Sequence, residues 1–184
     1  MLMLAKFILI ISCLFEYKLL YLQINLDGMY LAKEIADWIL SRFNTESGDT
    51  ISPLKLQKLL YYCQAWHYTI FNEPLFEEDI QAWAHGPVVP SQYKRFANTL
   101  RNATIDLSII DLNPPSLPHN SEELLIEVMD IYGEHTAYYL EQLTHKERPW
   151  YETRGDLPSY AASERVIPLS LMYEYYHSVN AQKD

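Results

Sequence analysis

Cys63 and His67 are the residues whose types and spacing come nearest to a catalytic pair. They are four positions apart, so on a helix they would share one face. A thiol beside an imidazole can form a thiolate nucleophile. Both residues, however, lie in a leucine-rich segment, and no third catalytic group or oxyanion donor can be assigned to them. A buried cysteine usually packs as a small apolar side chain, so we favour core packing over a Cys/His hydrolase.

The sequence contains no motif for a metal, a nucleotide phosphate or a redox cofactor. Its six histidines form neither HxxxH nor HExxH, and its two cysteines form no CxxC pair. Neither GxGxxG nor a Walker-type phosphate loop occurs. We therefore expect no enzyme activity, no metal site and no cofactor. Two cysteines without a paired spacing are typical of a reducing compartment, which predicts a cytoplasmic location.

Lys55 and Lys58 are placed where positive charge is unfavourable. Both follow Pro53 in the first turns of a predicted helix, where a cation opposes the helix dipole. Each could extend to solvent or pair with an acidic neighbour such as Glu77, and this is the interpretation we favour for Lys55. For Lys58, contact with an acidic group on a partner is an equally good interpretation, and both stay open.

The segment AWAHGPVVPSQY, residues 82–93, is unusually rich in proline and large apolar groups. Each proline holds the residue before it in an extended conformation, so a stiff bend is expected. A stiff segment loses little entropy on binding. A catalytic loop would need a partner for His85, and a plain connector would not need this many large side chains. We therefore predict that residues 83–93, here called the elbow, form a docking ridge.

The spacing of hydrophobic residues predicts the helices and the strand that position the candidate residues. Helices are predicted over 31–43 and over 54–71 with a cap at Ser52, then from Ser91 to about Leu100, and over 122–132 with a cap at Ser121. Two more are predicted over 135–145 and after Pro168. "IQAW" is a candidate strand, Gly86-Pro87 should block regular structure, and 146–158 reads as turn-rich. The predicted fold class is mainly α: a compact single helical domain of five to seven helices with at most a very small β element.

The first 28 residues do not fit this domain. Their apolar run, residues 7–15, is interrupted by Glu16, so it is too short to span a bilayer. No small-residue cleavage site follows, which disfavours a signal peptide. We predict a non-domain N-terminal extension, and favour a translation start at Met29 over a membrane or export segment. The domain is then 29–184.

The charge and the tyrosine content bear on possible partners. The net charge is −10, which disfavours direct binding to nucleic acid and would attract a basic protein. No membrane partner is expected. Fifteen tyrosines suit protein interfaces as well as a core, because a buried ring can keep its hydroxyl hydrated.

Three ordered segments carry a family resemblance. "ISPLKLQKLLYYCQAWHY", "LFEEDIQAWAHGPVVPSQYKRF" and "LTHKERPWYETR" together resemble the Panacea-domain proteins, which are SocA-like or GepA-like phage-associated antitoxins. K-L-x-K-L-L-Y-Y and G-P-V-x-P are the most specific parts. The resemblance spans about residues 30–175 and leaves the first 28 outside.

The resemblance implies an antitoxin that neutralises a cognate protein toxin, encoded by an adjacent gene, by direct binding. The alternative that it implies is a proteolytic adaptor that delivers the toxin to an AAA+ protease. We expect the binding surface to combine one face of the 54–71 helix with the elbow. The predicted partner-binding residues are Lys58, Tyr61, Tyr62, Trp66, Trp83, His85, Gly86, Pro87, Val88, Pro90 and Tyr93.

Overall fold

A computed structural model describes residues 29–44 and 48–181 of the chain. The predicted N-terminal extension, residues 1–28, lies outside this range. The described helices are α1 (Ala32–Leu40), α2 (Pro53–Phe71), α3 (Pro90–Arg95), α4 (His119–Tyr132), α5 (Ala137–Lys146), α6 (Arg148–Arg154) and α7 (Leu169–Asn180). One antiparallel hairpin joins β1 (Gln81–Trp83) to β2 (Gly86–Val88), and a 3-10 turn covers Leu107–Ile109. The predicted mainly α class with a very small β element is confirmed. Within the described part of the chain, none of the helices is long and apolar enough to cross a membrane.

Helix α2 is the centre of the fold. Ser52 caps it by accepting a hydrogen bond from the Lys55 backbone N–H at 3.2 Å, and Pro53 occupies the first turn. The helix ends at Asn72, which adopts a left-handed conformation with φ of 56°. Helices α1, α4, α5 and α7 and strand β2 all pack around it. Fifteen of its nineteen residues are buried, as expected for a helix with neighbours on most sides, although Ile70 near its C-terminus is exposed.

A buried carboxylate fixes α3 against α1. Asp37 of α1 accepts hydrogen bonds from Arg95 of α3 at 2.6 Å, from Lys33 at 2.7 Å and from the Asn113 backbone N–H at 3.2 Å. Burial by itself would raise the pKa of Asp37, but these donors outweigh it and hold the pKa below its ordinary value. This network sets the position of α3, which follows the elbow directly.

The prediction that Gly86-Pro87 blocks regular structure is wrong, because both residues belong to β2. Pro87 lies opposite Ala82, whose N–H donates to Arg165 O at 2.9 Å and whose carbonyl accepts from Arg154 at 2.9 Å. Both polar groups of Ala82 therefore face away from β2. The pair exchanges no ladder hydrogen bond, so the missing N–H of proline costs the hairpin nothing.

Three further predictions about elements need correction. The segment read as turn-rich, 146–158, contains helix α6, which starts with Pro149 in its first turn and buries Trp150. The helix predicted from Ser91 to about Leu100 begins at Pro90 and ends at Arg95. Ser121 does not cap α4, because that helix begins two residues earlier, at His119, and the Ser121 hydroxyl bonds to His67 instead.

Candidate functional site

Two consecutive side chains of α2, Gln57 and Lys58, hold the backbone of the elbow, and we call this pair the clamp. Gln57 Oε1 accepts from the Val89 N–H at 2.7 Å, and Lys58 Nζ donates to the Pro87 carbonyl at 3.0 Å. Lys58 is 0% exposed. Burial lowers the pKa of Lys58 to about 7, against the opposing attraction of Glu141. The first two motifs of the sequence are thus joined by hydrogen bonds inside the protein.

Gly86 lets the elbow approach the clamp. Its φ is +91°, a conformation that side-chain-bearing residues rarely adopt. A Cβ at this position would lie 2.6 Å from Lys58 Nζ and 2.8 Å from Thr144 Oγ1. Lys58 Nζ is held by Pro87 and cannot easily move aside. The glycine of G-P-V-x-P is therefore required both by its backbone angle and by the space that Lys58 occupies.

The two tyrosines of K-L-x-K-L-L-Y-Y join a buried cluster around a carboxylate. Tyr62 donates to Glu147 Oε1 at 3.2 Å, and Tyr176 donates to Glu147 Oε2 at 2.8 Å. Tyr61 Oη lies 3.2 Å from Tyr176 Oη. Burial raises the pKa of Glu147 to about 7, although the two tyrosine donors oppose the shift. Tyr62 also stacks on Tyr132, with ring centroids 3.8 Å apart.

These contacts correct much of the predicted binding surface. Lys58, Tyr61, Tyr62 and Trp66 are buried side chains of the core, and their polar atoms bond to other parts of the chain. Gly86, Pro87 and Val88 of the elbow are buried as well. Six of these residues are enclosed by the protein and hold the elbow and the core together. Val88 is also buried, but one side of it lines the groove described next.

Four of the predicted binding residues stay accessible, and three of them line an open groove. Trp83 is half-buried, His85 is exposed, Tyr93 is 46% exposed, and Pro90 is partly covered. Trp83, His85 and Tyr93 line a groove of about 580 Å³, and the rings of Trp83 and Tyr93 meet edge to face at 4.9 Å. We call this feature the elbow groove. For these four residues, a role in binding a partner stays a prediction.

The elbow groove has apolar walls and a few polar groups. Leu54 and Gln57 of α2 contribute to its lining, together with Phe96, which follows α3. Arg101, Tyr160 and Glu164 line it from later parts of the chain. A concave, mostly apolar surface with few polar groups is the usual form of a binding site.

Arg154, which the sequence analysis did not single out, fixes the far wall of the groove. Its guanidinium donates to the carbonyls of Ala82, Pro158 and Ala161 at 2.9, 2.6 and 2.8 Å. These bonds join the hairpin to the segment 158–163, which includes the groove residue Tyr160. One sign of this role is present in the sequence: Arg154 is the last residue of the third motif, LTHKERPWYETR. Its immediate neighbours in the sequence do not distinguish it from a surface arginine.

His67, the first candidate for general-base chemistry, forms no hydrogen bond with Cys63; the hydroxyl beside it is that of the buried Ser121. His67 Nδ1 donates to the Glu73 carbonyl at 2.8 Å and Nε2 lies 3.1 Å from Ser121 Oγ, so both ring nitrogens are engaged away from Cys63. Burial raises the pKa of the Cys63 thiol far above its ordinary value, which disfavours the thiolate.

His85 is the other imidazole that could act as a base. Its Nδ1 bonds to Glu141 Oε1 at 2.8 Å, an arrangement that can orient an imidazole. Among residues 29–44 and 48–181, no hydroxyl or thiol forms a hydrogen bond with His85. In the described part of the chain, His85 therefore has an orienting carboxylate but no hydrogen-bonded nucleophile.

Comparison with known proteins gives one family. The family model described as "Antitoxin SocA-like, Panacea domain" matches residues 56–151, more than half of the chain. No curated protein and no solved structure matches the chain. The matched range begins in α2, includes the clamp and the elbow, and ends in α6.

Proposed function

The chain belongs to the antitoxin SocA-like, Panacea-domain family, and we propose that it is the antitoxin of a toxin–antitoxin system. In this proposal it acts in the cytoplasm and neutralises a cognate protein toxin, the product of an adjacent gene, by direct binding. The observation that carries the proposal is that the residues matched by the family model build both the clamp and an elbow whose accessible side chains line an open groove.

The construction of the elbow supports a binding role. Gln57 and Lys58 fix two backbone groups of the elbow from below, and Arg154 fixes the neighbouring strand. A surface that is already ordered loses less conformational entropy when a partner binds. The exposed aromatic ring of Tyr93 and the half-buried ring of Trp83 are of the type that carries binding energy in protein interfaces.

Co-expression with the adjacent gene product tests the proposal. Growth should be arrested by that product alone and restored when this chain is present, and the two proteins should co-purify at a constant ratio. Rescue accompanied by protease-dependent loss of the toxin would favour the adaptor mechanism. If there is neither rescue nor co-purification, the proposed function is wrong.

A further inference from the structure

The wall of the elbow groove contains a buried hydrogen-bond donor that bonds to no other residue in the described part of the chain. Gln57 is 3% exposed, and its Oε1 must face the Val89 N–H, which can only donate. This assigns the other end of the amide, Nε2, as a donor. No acceptor within the described ranges is bonded to Nε2, and Gln57 lines the groove. Buried donors without an acceptor are unfavourable and uncommon, so an occupant that supplied one would relieve this cost.

The second polar feature of the groove is the positively charged side chain of Arg101. Arg101 lines the same groove, is exposed, and forms no ion pair with a carboxylate in the part of the chain that the structure describes. In a chain of net charge −10, an unpaired guanidinium on a binding surface is notable. Glu164 also borders the groove, so an acidic occupant group is favoured only on the Arg101 side.

The apolar walls define the rest of the occupant. Trp83, Tyr93 and Phe96 provide aromatic surface, and Val88 and Leu54 provide aliphatic surface. A volume of about 580 Å³ accommodates one or two large side chains, not a folded domain. The walls therefore fit a short segment of chain with a large apolar side chain.

From these three features we propose that the elbow groove binds an extended peptide segment of the toxin. A large aromatic or aliphatic side chain of that segment enters between Trp83, Tyr93 and Phe96. Gln57 Nε2 is not solvent-accessible in the free protein, so the groove wall shifts when the segment binds, and a backbone carbonyl of the segment then accepts from this donor. An acidic side chain of the segment faces Arg101. This inference rests on the proposed function, because it names the part of the toxin that the antitoxin recognises.

A pair of neighbouring substitutions tests whether the groove is the site. Ala97 is exposed and lines the groove, whereas Asn98 is also exposed and does not line it. Ala97→Trp should fill the groove and weaken binding of the purified toxin at least about tenfold, whereas Asn98→Trp should leave the affinity within about twofold. Melting temperatures of both variants should stay close to that of the unchanged protein, because both positions are outside α3 and the core.

A second set of variants tests the chemistry of the occupant. Fluorescence polarisation is measured with overlapping peptides that cover the toxin sequence, and at least one peptide with a large apolar residue should bind. Gln57→Glu keeps an oxygen towards the Val89 N–H but replaces the Nε2 donor with a second oxygen. At alkaline pH, where the carboxyl group is ionised and cannot donate, that peptide should bind roughly tenfold more weakly. Gln64→Glu is the matched control, because Gln64 is also buried on α2 but bonds to Phe76 and Leu75 away from the groove. Arg101→Glu should weaken binding of the same peptide, and replacing its acidic residue should remove that effect.

The possible outcomes separate this inference from the proposed function. If the toxin binds the unchanged protein and Ala97→Trp equally well, the groove is not the site, but the antitoxin function stands. Toxin binding without any peptide binding would also overturn the inference, as would equal affinities for Gln57→Glu and Gln64→Glu. If the unchanged protein binds neither toxin nor peptides, both proposals are wrong.

Discussion

Lys58 and Gly86 belong to different sequence motifs but lie side by side in the structure. The buried ammonium group fills the space that a side chain at position 86 would need, and moving it away would break its hydrogen bond to Pro87. A lysine in this position holds a turn in place, which is a different role from contact with an acidic partner. The open question about Lys58 is thereby answered in favour of an internal role.

Gly86→Ala tests this packing directly. We expect it to lower the free energy of unfolding by about 2–4 kcal/mol, because it adds a contact with Lys58 to an unfavourable backbone angle. Gly48→Ala is the control: its φ is +88°, close to that of Gly86, but nothing lies within 4 Å of the added Cβ. That variant should lose only about 1 kcal/mol from the backbone angle. Urea unfolding of both variants gives the comparison, and equal losses would show that the Lys58 contact is unimportant.

At the scale of elements, helix α6 organises the side of the groove that is remote from α2. Trp150 donates to the Trp83 carbonyl at 2.9 Å, and Arg154, at the end of the same helix, binds the Ala82 carbonyl. The helix thus holds β1 by two consecutive backbone carbonyls. The same arginine gathers the carbonyls of the 158–161 loop, so one helix sets the spacing between the hairpin and that loop.

Arg154→Lys should loosen the connection between the hairpin and the 158–161 loop. A lysine has one nitrogen and cannot bridge carbonyls that the planar guanidinium reaches from several N–H groups. We expect a loss of about 1–3 kcal/mol in unfolding free energy and faster amide hydrogen exchange in residues 155–163. The control on the same helix is Arg148→Lys, because Arg148 forms exposed ion pairs with Glu152 and Glu174 and should change stability by less than about 0.5 kcal/mol. Unaltered exchange in the loop of Arg154→Lys would contradict the role assigned to α6.

For the whole molecule, two buried ionisable groups give stability an unusual dependence on pH. Glu147 has a pKa of about 7 in the folded protein against an ordinary value of 4.5, so the folded state holds this proton more tightly than the unfolded state. Its contribution is fully present below pH 4.5 and is lost as pH rises through 7. Lys58 has a pKa of about 7 against 10.5, so the folded state holds that proton less tightly. Its contribution grows as pH rises from 7 to 10.5.

Single substitutions isolate each group. Because the other ionisable groups are the same in every variant, differences from the unchanged protein cancel their effects. Glu147→Gln should gain stability relative to the unchanged protein between pH 5 and 8, on the order of 2 kcal/mol. Lys58→Met should lose a similar amount between pH 7 and 10, on the order of 2 kcal/mol. Thermal unfolding at these pH values is the measurement, and differences that do not vary with pH would mean that neither group is titrating inside the protein.

Local patterns in the sequence determined the main elements of this protein. Ser52 and Pro53 marked the start of α2, and apolar periodicity marked its length, because caps and amphipathic faces depend only on neighbours along the chain. The same local patterns predicted the mainly α class, and the three motifs predicted the family. They also located the elbow, whose Trp83, His85 and Tyr93 line the groove.

Only the tertiary structure decided which of the motif residues face the interior. Tyr61 meets Tyr176 across 115 positions, and Tyr62 meets Glu147 across 85, so no local pattern could show that these hydroxyls have buried partners. Lys58 was read as a surface cation because a lysine is costly to bury, but in the structure it is enclosed and donates to the Pro87 carbonyl, 29 positions away. The groove itself is bounded by α2, the hairpin and the 158–163 segment, which are distant in sequence. A concave surface arises from how such segments pack, and packing is the property that a linear pattern of residue types leaves undetermined.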